Sequence, residues 1–153
     1  MLCQLEIQDL GKMAYEPVLE KQREIQQNVI DCRNGHSPSP LHLLLVEHDP
    51  PVITISRRST AREHLLATQQ QLKSSGVLVC ETDRGGDITY HGVGQLVGYP
   101  IFDLNVLSLR LHGYMRFLES IMIEVLDHFG IEGHRDECGT GVWVGNEDRK
   151  SVG

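Results

Sequence analysis

The chain has 153 residues, a net charge of −7 and a pI near 5.5, and 40% of its residues are hydrophobic. This length suffices for one domain with a hydrophobic core, and we expect a single domain over residues 1–153. The acidic balance argues against a general nucleic-acid binder or a membrane-surface binder. The apolar runs in the sequence are also shorter than a membrane-spanning helix requires.

Apolar patterning predicts strands and helices in alternation along the chain. A loosely alternating segment predicts a first strand, and short runs rich in β-branched residues predict the next ones. Residues 41–46 form the most continuous of these apolar runs. The predicted strands cover residues 2–10, 41–46, 52–55, 77–80, 96–102 and 141–144.

Helical spacing predicts three helices, of which the first ends at Gly35. Thr60 and Glu63 match a capping box, which predicts a second helix over residues 60–74. A third helix is predicted over residues 111–129, with one wide apolar face that we expect to be buried. Short connections between mixed strands and helices predict an α/β (α+β) fold, a mixed sheet flanked by helices.

The last predicted strand is followed by turn residues at 145–148, and the chain ends shortly afterwards. A domain usually closes on an element that can hold its terminus in place. The sequence shows no partner strand for this predicted hairpin. We therefore expect the chain to be cut short at its C-terminus.

The four cysteines, Cys3, Cys32, Cys80 and Cys138, have no C-x-x-C spacing, which argues against a zinc site or a redox motif. The histidines show no metal-ligand spacing either, and we expect no metal. The chain length and the low cysteine density argue against a disulfide framework and favour a reducing compartment. Because the N-terminus has no secretory or transit signal, we expect a cytoplasmic protein, or a mitochondrial one if the source is eukaryotic.

The segment Arg84–Gln95 is the most informative part of the sequence, with four glycines among polar side chains. Gly92, Gly94 and Gly98 nearly match a dinucleotide-binding fingerprint, but such a fingerprint must open a helix, and the residues from Gln95 to Phe102 are typical of a strand. A ligand-free glycine-rich hairpin is the simplest alternative. Arg84 and His91 flank the glycines, and polar residues on such loops favour a binding surface.

The same segment, Arg-Gly-Gly-x-x-Thr-Tyr-His-Gly-x-Gly-Gln, resembles the lipoyl(octanoyl) transferases of lipoate biosynthesis, which are related to lipoate- and biotin-protein ligases. Residues 10–15, 46–54 and 141–144 resemble further stretches of that family, in the same order. Val93 stands where the family usually has proline, and Ser56 stands where it usually has glycine.

The resemblance implies a biotin/lipoate-protein ligase-like catalytic domain that acts without a cofactor and as a monomer. Its implied reaction moves an octanoyl group from octanoyl-acyl carrier protein, through a cysteine thioester, to a lysine of a lipoyl domain. Implied acceptors are the lipoyl domains of 2-oxoacid dehydrogenases and the glycine cleavage H protein. The implied substrate-binding residues are Arg84, Gly85, Gly86, Asp87, Ile88, Thr89, Tyr90 and His91.

Lys150 matches the family lysine that would stabilise the thiolate. A neighbouring ammonium group favours the negatively charged thiolate over the neutral thiol. The residues after it break the family pattern, and we expect the nucleophilic cysteine to be absent from this chain. Cys138 lies upstream of Lys150, whereas the family nucleophile lies downstream. Two alternatives stay open: a non-catalytic acyl- or protein-binding module on the same scaffold, and an ATP-dependent ligase relative.

Overall fold

The computed structural model describes residues 4–58, 60–136 and 139–145, and the backbone of residues 150–152. The chain divides into two compact units, Met1–Asp103 and Leu104–Gly153. The single domain expected over the whole chain stays a prediction. In the described parts of the chain, no helix has both the length and the apolar character needed to span a bilayer.

Strands and helices are numbered in chain order. The strands are β1 (Leu5–Met13), β2 (Leu41–His48), β3 (Val52–Ser56), β4 (Leu78–Thr82), β5 (Ile88–His91), β6 (Leu96–Ile101), β7 (Gly133–Arg135), β8 (Val142–Val144) and β9 (Lys150–Val152). The helices are α1 (Tyr15–Asn34), α2 (Gln69–Ser74) and α3 (Leu111–His128), and a short 3-10 turn spans Ala61–His64.

The first unit contains two three-stranded mixed sheets. In the first, β2 pairs in parallel with β1 and antiparallel with β6. In the second, β3 pairs in parallel with β4 and antiparallel with β5. The expected mixed α/β character is therefore present, but the strands form separate sheets rather than one.

The core of the first unit lies between α1 and the first sheet. Ile25 and Val29 sit four residues apart on one face of α1 and pack with Leu44 of β2. Leu10, Tyr99 and Ile101 surround this cluster. The helix ends where the sequence predicts, because the Gly35 backbone N–H closes the last turn on the carbonyl of Asp31.

The second helix was predicted over residues 60–74, and its predicted start is wrong because α2 begins only at Gln69. Residues 61–64 form only a 3-10 turn, and Thr60 itself has helical backbone angles and makes no capping hydrogen bond. The capping box forms at Thr68, whose side chain accepts from the Gln71 backbone while the Gln71 side chain reaches back to Thr68. An N-cap needs an extended backbone, and of the two threonines only Thr68 has one.

The second unit consists of α3 and a small antiparallel sheet in the order β7-β8-β9. The expectation that β8 lacks a partner strand is wrong, since β7 and β9 flank it. The predicted apolar face of α3 is only partly buried, and Leu111 and Phe129 are 70% and 72% exposed. The predicted turn at 145–148 lies mostly outside the described residues.

Candidate functional site

The Arg84–His91 segment consists of a turn that leads into β5, a strand that the sequence analysis did not predict. Antiparallel pairing with β3 sets Thr89 opposite Thr54 and His91 opposite Val52. Because side chains alternate along a strand, Thr89 and His91 share one face of the sheet and Ile88 and Tyr90 share the other. The eight predicted binding residues therefore do not converge on a single surface.

The side chain of Arg84 stabilises the turn through hydrogen bonds to the turn itself and to β3. Its Nε donates to Thr54 Oγ1 at 3.0 Å, and its Nη2 donates to the Thr54 carbonyl at 2.9 Å. Nη1 donates to the Gly85 carbonyl at 2.8 Å, and Nη2 also reaches the Asp87 carbonyl at 3.5 Å. Most donors of the guanidinium, which has five N–H groups, are thus used by backbone and hydroxyl oxygens of the protein itself.

Buried hydroxyl groups fix the same turn from the sheet side. Thr54, Ser56 and Thr82 are at most 5% exposed. The Thr54 hydroxyl accepts from Arg84 and lies within 3.4 Å of the Thr89 carbonyl. The Ser56 backbone N–H donates to the Asp87 carbonyl, and Thr82 Oγ1 accepts from the Arg84 backbone N–H. Since buried polar groups are costly unless paired, these residues hold one backbone path.

Gly86 is required by the geometry of the turn. Its φ is +90°, in the region that side chains disfavour, and a Cβ there would lie 3.0 Å from Arg84 Nη1. Gly85, by contrast, has open space around the position of a Cβ.

Asp87 connects this turn to the 3-10 turn. Its Oδ2 pairs with His64 Nδ1, and its Oδ1 is buried without a hydrogen-bond partner among the described residues. Nothing in the local sequence around His64 places it beside Asp87, so this contact was not predicted.

His48 lies at the centre of the site and is fully buried. Its Nδ1 is 3.3 Å from the Met13 carbonyl, and its Nε2 is 2.8 Å from the Tyr99 hydroxyl. Burial lowers the pKa of His48, more than the Met13 carbonyl raises it. A carbonyl can only accept, so the neutral ring carries its hydrogen on Nδ1, and Nε2 accepts from Tyr99.

Aromatic rings enclose His48 on several sides. The ring centroids of Tyr15 and His91 each lie 5.4 Å from that of His48, and that of Tyr99 lies 5.9 Å away. The Tyr15 hydroxyl donates to Thr82 Oγ1 at 3.3 Å. Burial, followed by the neighbouring Tyr15, raises the pKa of the Tyr99 hydroxyl, which therefore stays a donor.

His91 is the predicted binding residue that meets this buried cluster. Burial is the main cause that lowers its pKa; His48 and Arg84 lower the pKa further, and a hydrogen bond with Gln95 raises it. Its Nδ1 is buried and has no hydrogen-bond partner among the described residues. His91 is therefore neutral near pH 7, with one ring nitrogen that none of the described residues binds.

The turn between β5 and β6 is fixed by a carboxylate from β2. Glu47 accepts from the Gly94 backbone N–H at 3.0 Å and lies 3.3 Å from Lys12 Nζ. The Gly94 N–H, followed by Lys12, holds the pKa of Glu47 below its ordinary value. Gly94 has a φ of +81°, which explains a glycine at this point.

The second unit has its own buried ionic cluster around Glu119, which is 4% exposed. Oε2 of Glu119 accepts from Arg116 at 2.8 Å and from Arg135 at 3.2 Å, and Oε1 accepts from the Gly141 backbone N–H at 3.0 Å. The Gly141 N–H is the largest cause that lowers the pKa of Glu119. This carboxylate therefore joins α3 to the strands of its unit.

The side chains of several other predicted site residues are not described by the structure. The backbone of Lys150 pairs opposite Trp143 in β9, but its side chain lies outside the described residues. Cys138 and Cys3 lie outside them as well. Among the residues that the structure describes, no group of three His, Cys, Asp or Glu side chains is arranged to hold a metal.

The contacts of Tyr15, Tyr99 and the buried hydroxyls were not predicted from the sequence. The motif around residues 46–54 already contained His48, and the tyrosine of the strand after the glycines is Tyr99. His48 and Tyr99 come close to His91 only when distant strands pair, and no local sequence pattern predicts that pairing.

Solved structures confirm the predicted fold class. The bi-partite lipoate protein ligase of Thermoplasma acidophilum superposes with a TM-score of 0.60 at 16% identity, over 94% of this chain and 52% of that one. LipL1 of P. falciparum in complex with lipoate gives a TM-score of 0.61 at 17% identity, over 94% of this chain and 41% of that one. At such low identity the likeness concerns the fold alone.

Curated relatives confirm the resemblance to octanoyltransferases. The octanoyltransferase of Flavobacterium johnsoniae is 42% identical over 147 residues, which cover 92% of this chain and 62% of that protein. That of Caldicellulosiruptor bescii is 44% identical over 146 residues, which cover 94% of this chain and 61% of that protein. The chain thus spans about three fifths of the length of these relatives. The model of the lipoyl protein ligase A/B catalytic domain matches residues 14–153, and the chain belongs to that family.

Proposed function

We propose that this chain forms the donor-binding part of an octanoyltransferase of lipoate biosynthesis. The complete reaction would take an octanoyl group from octanoyl-acyl carrier protein and pass it to a lysine of a lipoyl domain, in 2-oxoacid dehydrogenases or the glycine cleavage H protein. Family membership and relatives above 40% identity with that activity support the proposal. A cytoplasmic location and a monomeric state belong to the same proposal.

The observation that carries the proposal is the buried support of the Arg84–His91 segment. Thr54, Thr82 and His48 are all buried polar residues of the first unit, and each contacts this one segment. Buried polar groups lower stability unless they are satisfied, and their concentration beside this segment supports the proposal that its backbone is held for binding. The open space beside Gly85 offers room for a thin aliphatic chain next to the backbone.

His91 is the group that we assign to the thioester end of the donor. In the tautomer that carries its hydrogen on Nδ1, which has no partner in the described protein, the neutral imidazole of His91 donates a hydrogen bond to the ligand carbonyl. A buried unpaired nitrogen raises the free energy of the empty site, and a ligand carbonyl would remove that cost. Because a thioester arrives already activated, the transfer needs neither a nucleotide nor a metal.

Cys80 and Cys138 do not suit the nucleophile of the reaction. Burial, followed by the Glu16 carboxylate, raises the pKa of the Cys80 thiol, which disfavours the reactive thiolate. Cys138 precedes Lys150 in the chain, against the family order. We therefore propose that the nucleophile is not among the 153 residues, and that Lys150 would stabilise its thiolate in the complete enzyme.

The test is binding without transfer. Octanoyl-acyl carrier protein is titrated into the chain by calorimetry, with unacylated carrier protein as the ligand control. We expect binding that depends on the octanoyl group and that His91→Ala weakens about tenfold, whereas His112→Ala on the exposed side of α3 leaves it unchanged. Equal affinity for acylated and unacylated carrier protein would remove the assignment of an acyl site.

Intact mass of the same mixture decides the nucleophile. We expect no covalent octanoyl adduct. A hydroxylamine-sensitive adduct, mapped to Cys138 or another cysteine, would show that the chain carries its own nucleophile. Binding of free octanoate that depends on ATP would instead favour the ligase alternative.

A further inference from the structure

His48 is the most enclosed polar side chain near the proposed site, yet the reaction proposed above gives it no task. It is fully buried, and the rings of Tyr15, Tyr99 and His91 pack around it. A fully buried imidazole is uncommon in a protein core, because its polar atoms must be satisfied. Here both ring nitrogens are satisfied, by the Met13 carbonyl and by the Tyr99 hydroxyl.

This arrangement leaves His48 without an unused hydrogen-bond donor or acceptor for a ligand. Its Nδ1–H is used by the Met13 carbonyl, and its Nε2 lone pair is used by Tyr99 at 2.8 Å. Bonding a substrate would break one of these buried hydrogen bonds and leave its partner unsatisfied. His48 therefore acts through a neighbour rather than on the substrate.

The neighbour that matters chemically is His91. Its ring centroid lies 5.4 Å from that of His48, with the two planes tilted by 54°, within the range of aromatic packing contacts. The main-chain bond to Met13 comes from the end of β1, and the Tyr99 bond comes from β6. The first sheet thus fixes the plane of His48, and His48 presents a fixed surface to the ring of His91.

We propose that His48 is a positioning residue: locked between Met13 and Tyr99, it sets the ring orientation of His91, the histidine assigned to the acyl thioester. The ligand that His91 receives rests on the proposed function. The positioning itself does not, since it follows from contacts within the first unit.

Two substitutions separate positioning from simple core packing. Tyr99→Phe removes only the hydroxyl that anchors His48 Nε2 and leaves a ring of similar size. His48→Gln keeps a polar group within reach of Tyr99 but removes the ring that contacts His91. Tyr114→Phe, a tyrosine of α3 in the second unit, serves as the matched control for loss of a tyrosine hydroxyl.

The first readout is the His91 side chain without any ligand. Nitrogen-detected correlation spectra report the tautomer and the chemical shifts of each histidine ring. We expect the His91 signals to move in Tyr99→Phe and in His48→Gln and to stay in place in Tyr114→Phe. Unchanged His91 signals in a folded Tyr99→Phe protein would overturn the proposal. Should that variant not fold, His48→Gln is judged by the same criterion.

The second readout is the affinity for octanoyl-pantetheine, a small thioester that mimics the donor end. We expect both variants to bind it about tenfold more weakly than the parent, because small displacements of a positioned group have costs of this order or larger. His91 signals that move while the affinity stays the same would overturn the positioning role. If the parent chain fails to bind octanoyl-pantetheine while the His91 signals still move, the proposed function fails and the positioning of His91 stands.

Discussion

The hydroxyl of Tyr15, in the first turn of α1, donates to Oγ1 of Thr82, the last residue of β4, over 3.3 Å. The two residues are 67 positions apart in the chain. Thr82 also accepts from the backbone N–H of Arg84, so a single hydroxyl connects α1 with the start of the glycine-rich turn. Through this contact the first helix supports a turn that lies far from it in the sequence.

A double-mutant cycle on this pair measures that support. Tyr15→Phe and Thr82→Val each remove one partner of the hydrogen bond with little change in volume. We expect a coupling energy of about 1 kcal/mol in the free energy of unfolding, the usual net worth of such a bond. Denaturant unfolding of the parent, the single variants and the double variant gives the value. Additive effects within about 0.3 kcal/mol would mean that the two hydroxyls do not interact.

Gly86→Ala tests the backbone path of the turn. The new Cβ would sit at a φ of +90° and lie 3.0 Å from Arg84 Nη1, so both backbone strain and displacement of the guanidinium are expected. We expect a loss of about 1–3 kcal/mol of stability and weaker binding of octanoyl-pantetheine. Gly85→Ala is the control, because a Cβ there meets open space. Equal effects of the two substitutions in chemical denaturation would contradict this account.

The two site histidines make stability depend on pH. Burial lowers the pKa of both His48 and His91 from the ordinary value of 6.5, so the unfolded chain binds more protons than the folded one below that value. Stability should therefore be fully present above pH 6.5 and fall as the pH drops toward the lowered pKa values. His91→Gln should flatten this slope between pH 7 and 5, and His112→Gln should not. A parent protein whose stability is constant over that range would refute the expectation.

Glu119→Gln tests the ionic cluster of the second unit. The substitution keeps the shape of the side chain but removes the charge that Arg116, Arg135 and the Gly141 N–H stabilise. We expect a loss of about 1–3 kcal/mol at pH 7. The pKa of Glu119 is lowered, so this contribution should be present above about pH 4.5 and be lost as the pH falls through the lowered value.

Glu124→Gln is the matched control, since Glu124 lies on the same helix and is exposed. Thermal or urea unfolding of both variants at pH 7 and at pH 4 compares them directly. If the two variants are equally stable at pH 7, the Glu119 cluster contributes nothing to folding.

Much of the architecture was predictable from local sequence. Gly35 and Gly130 follow the helices that the apolar spacing predicts, and the run from Leu41 is a strand as expected. The second helix was misplaced because the pattern of a capping box occurs at both Thr60 and Thr68. Only backbone conformation distinguishes a cap from a residue already inside a turn.

The site was predictable only in part. The motif identified the segment that contains His91, because unusual glycines and polar residues are visible in the sequence. The supports of this segment were not visible, since β5 is only four residues long and its partner β3 lies more than thirty positions upstream. Thr54 looked like an ordinary strand residue, and its buried contacts with Arg84 exist only after the strands pair.

The pairing of Thr54 with Thr89 also restricts how the loop between β4 and β5 can vary in length. One residue inserted after Gly86, if it moved β5 along β3 by one position, would turn His91 to the far side of the sheet and bring Tyr90 against His48. An insertion of two residues would restore the original facing. Homologous or engineered chains that keep this site should therefore absorb an inserted residue within the loop itself, or compensate a register shift of one position with a bulge in the strand.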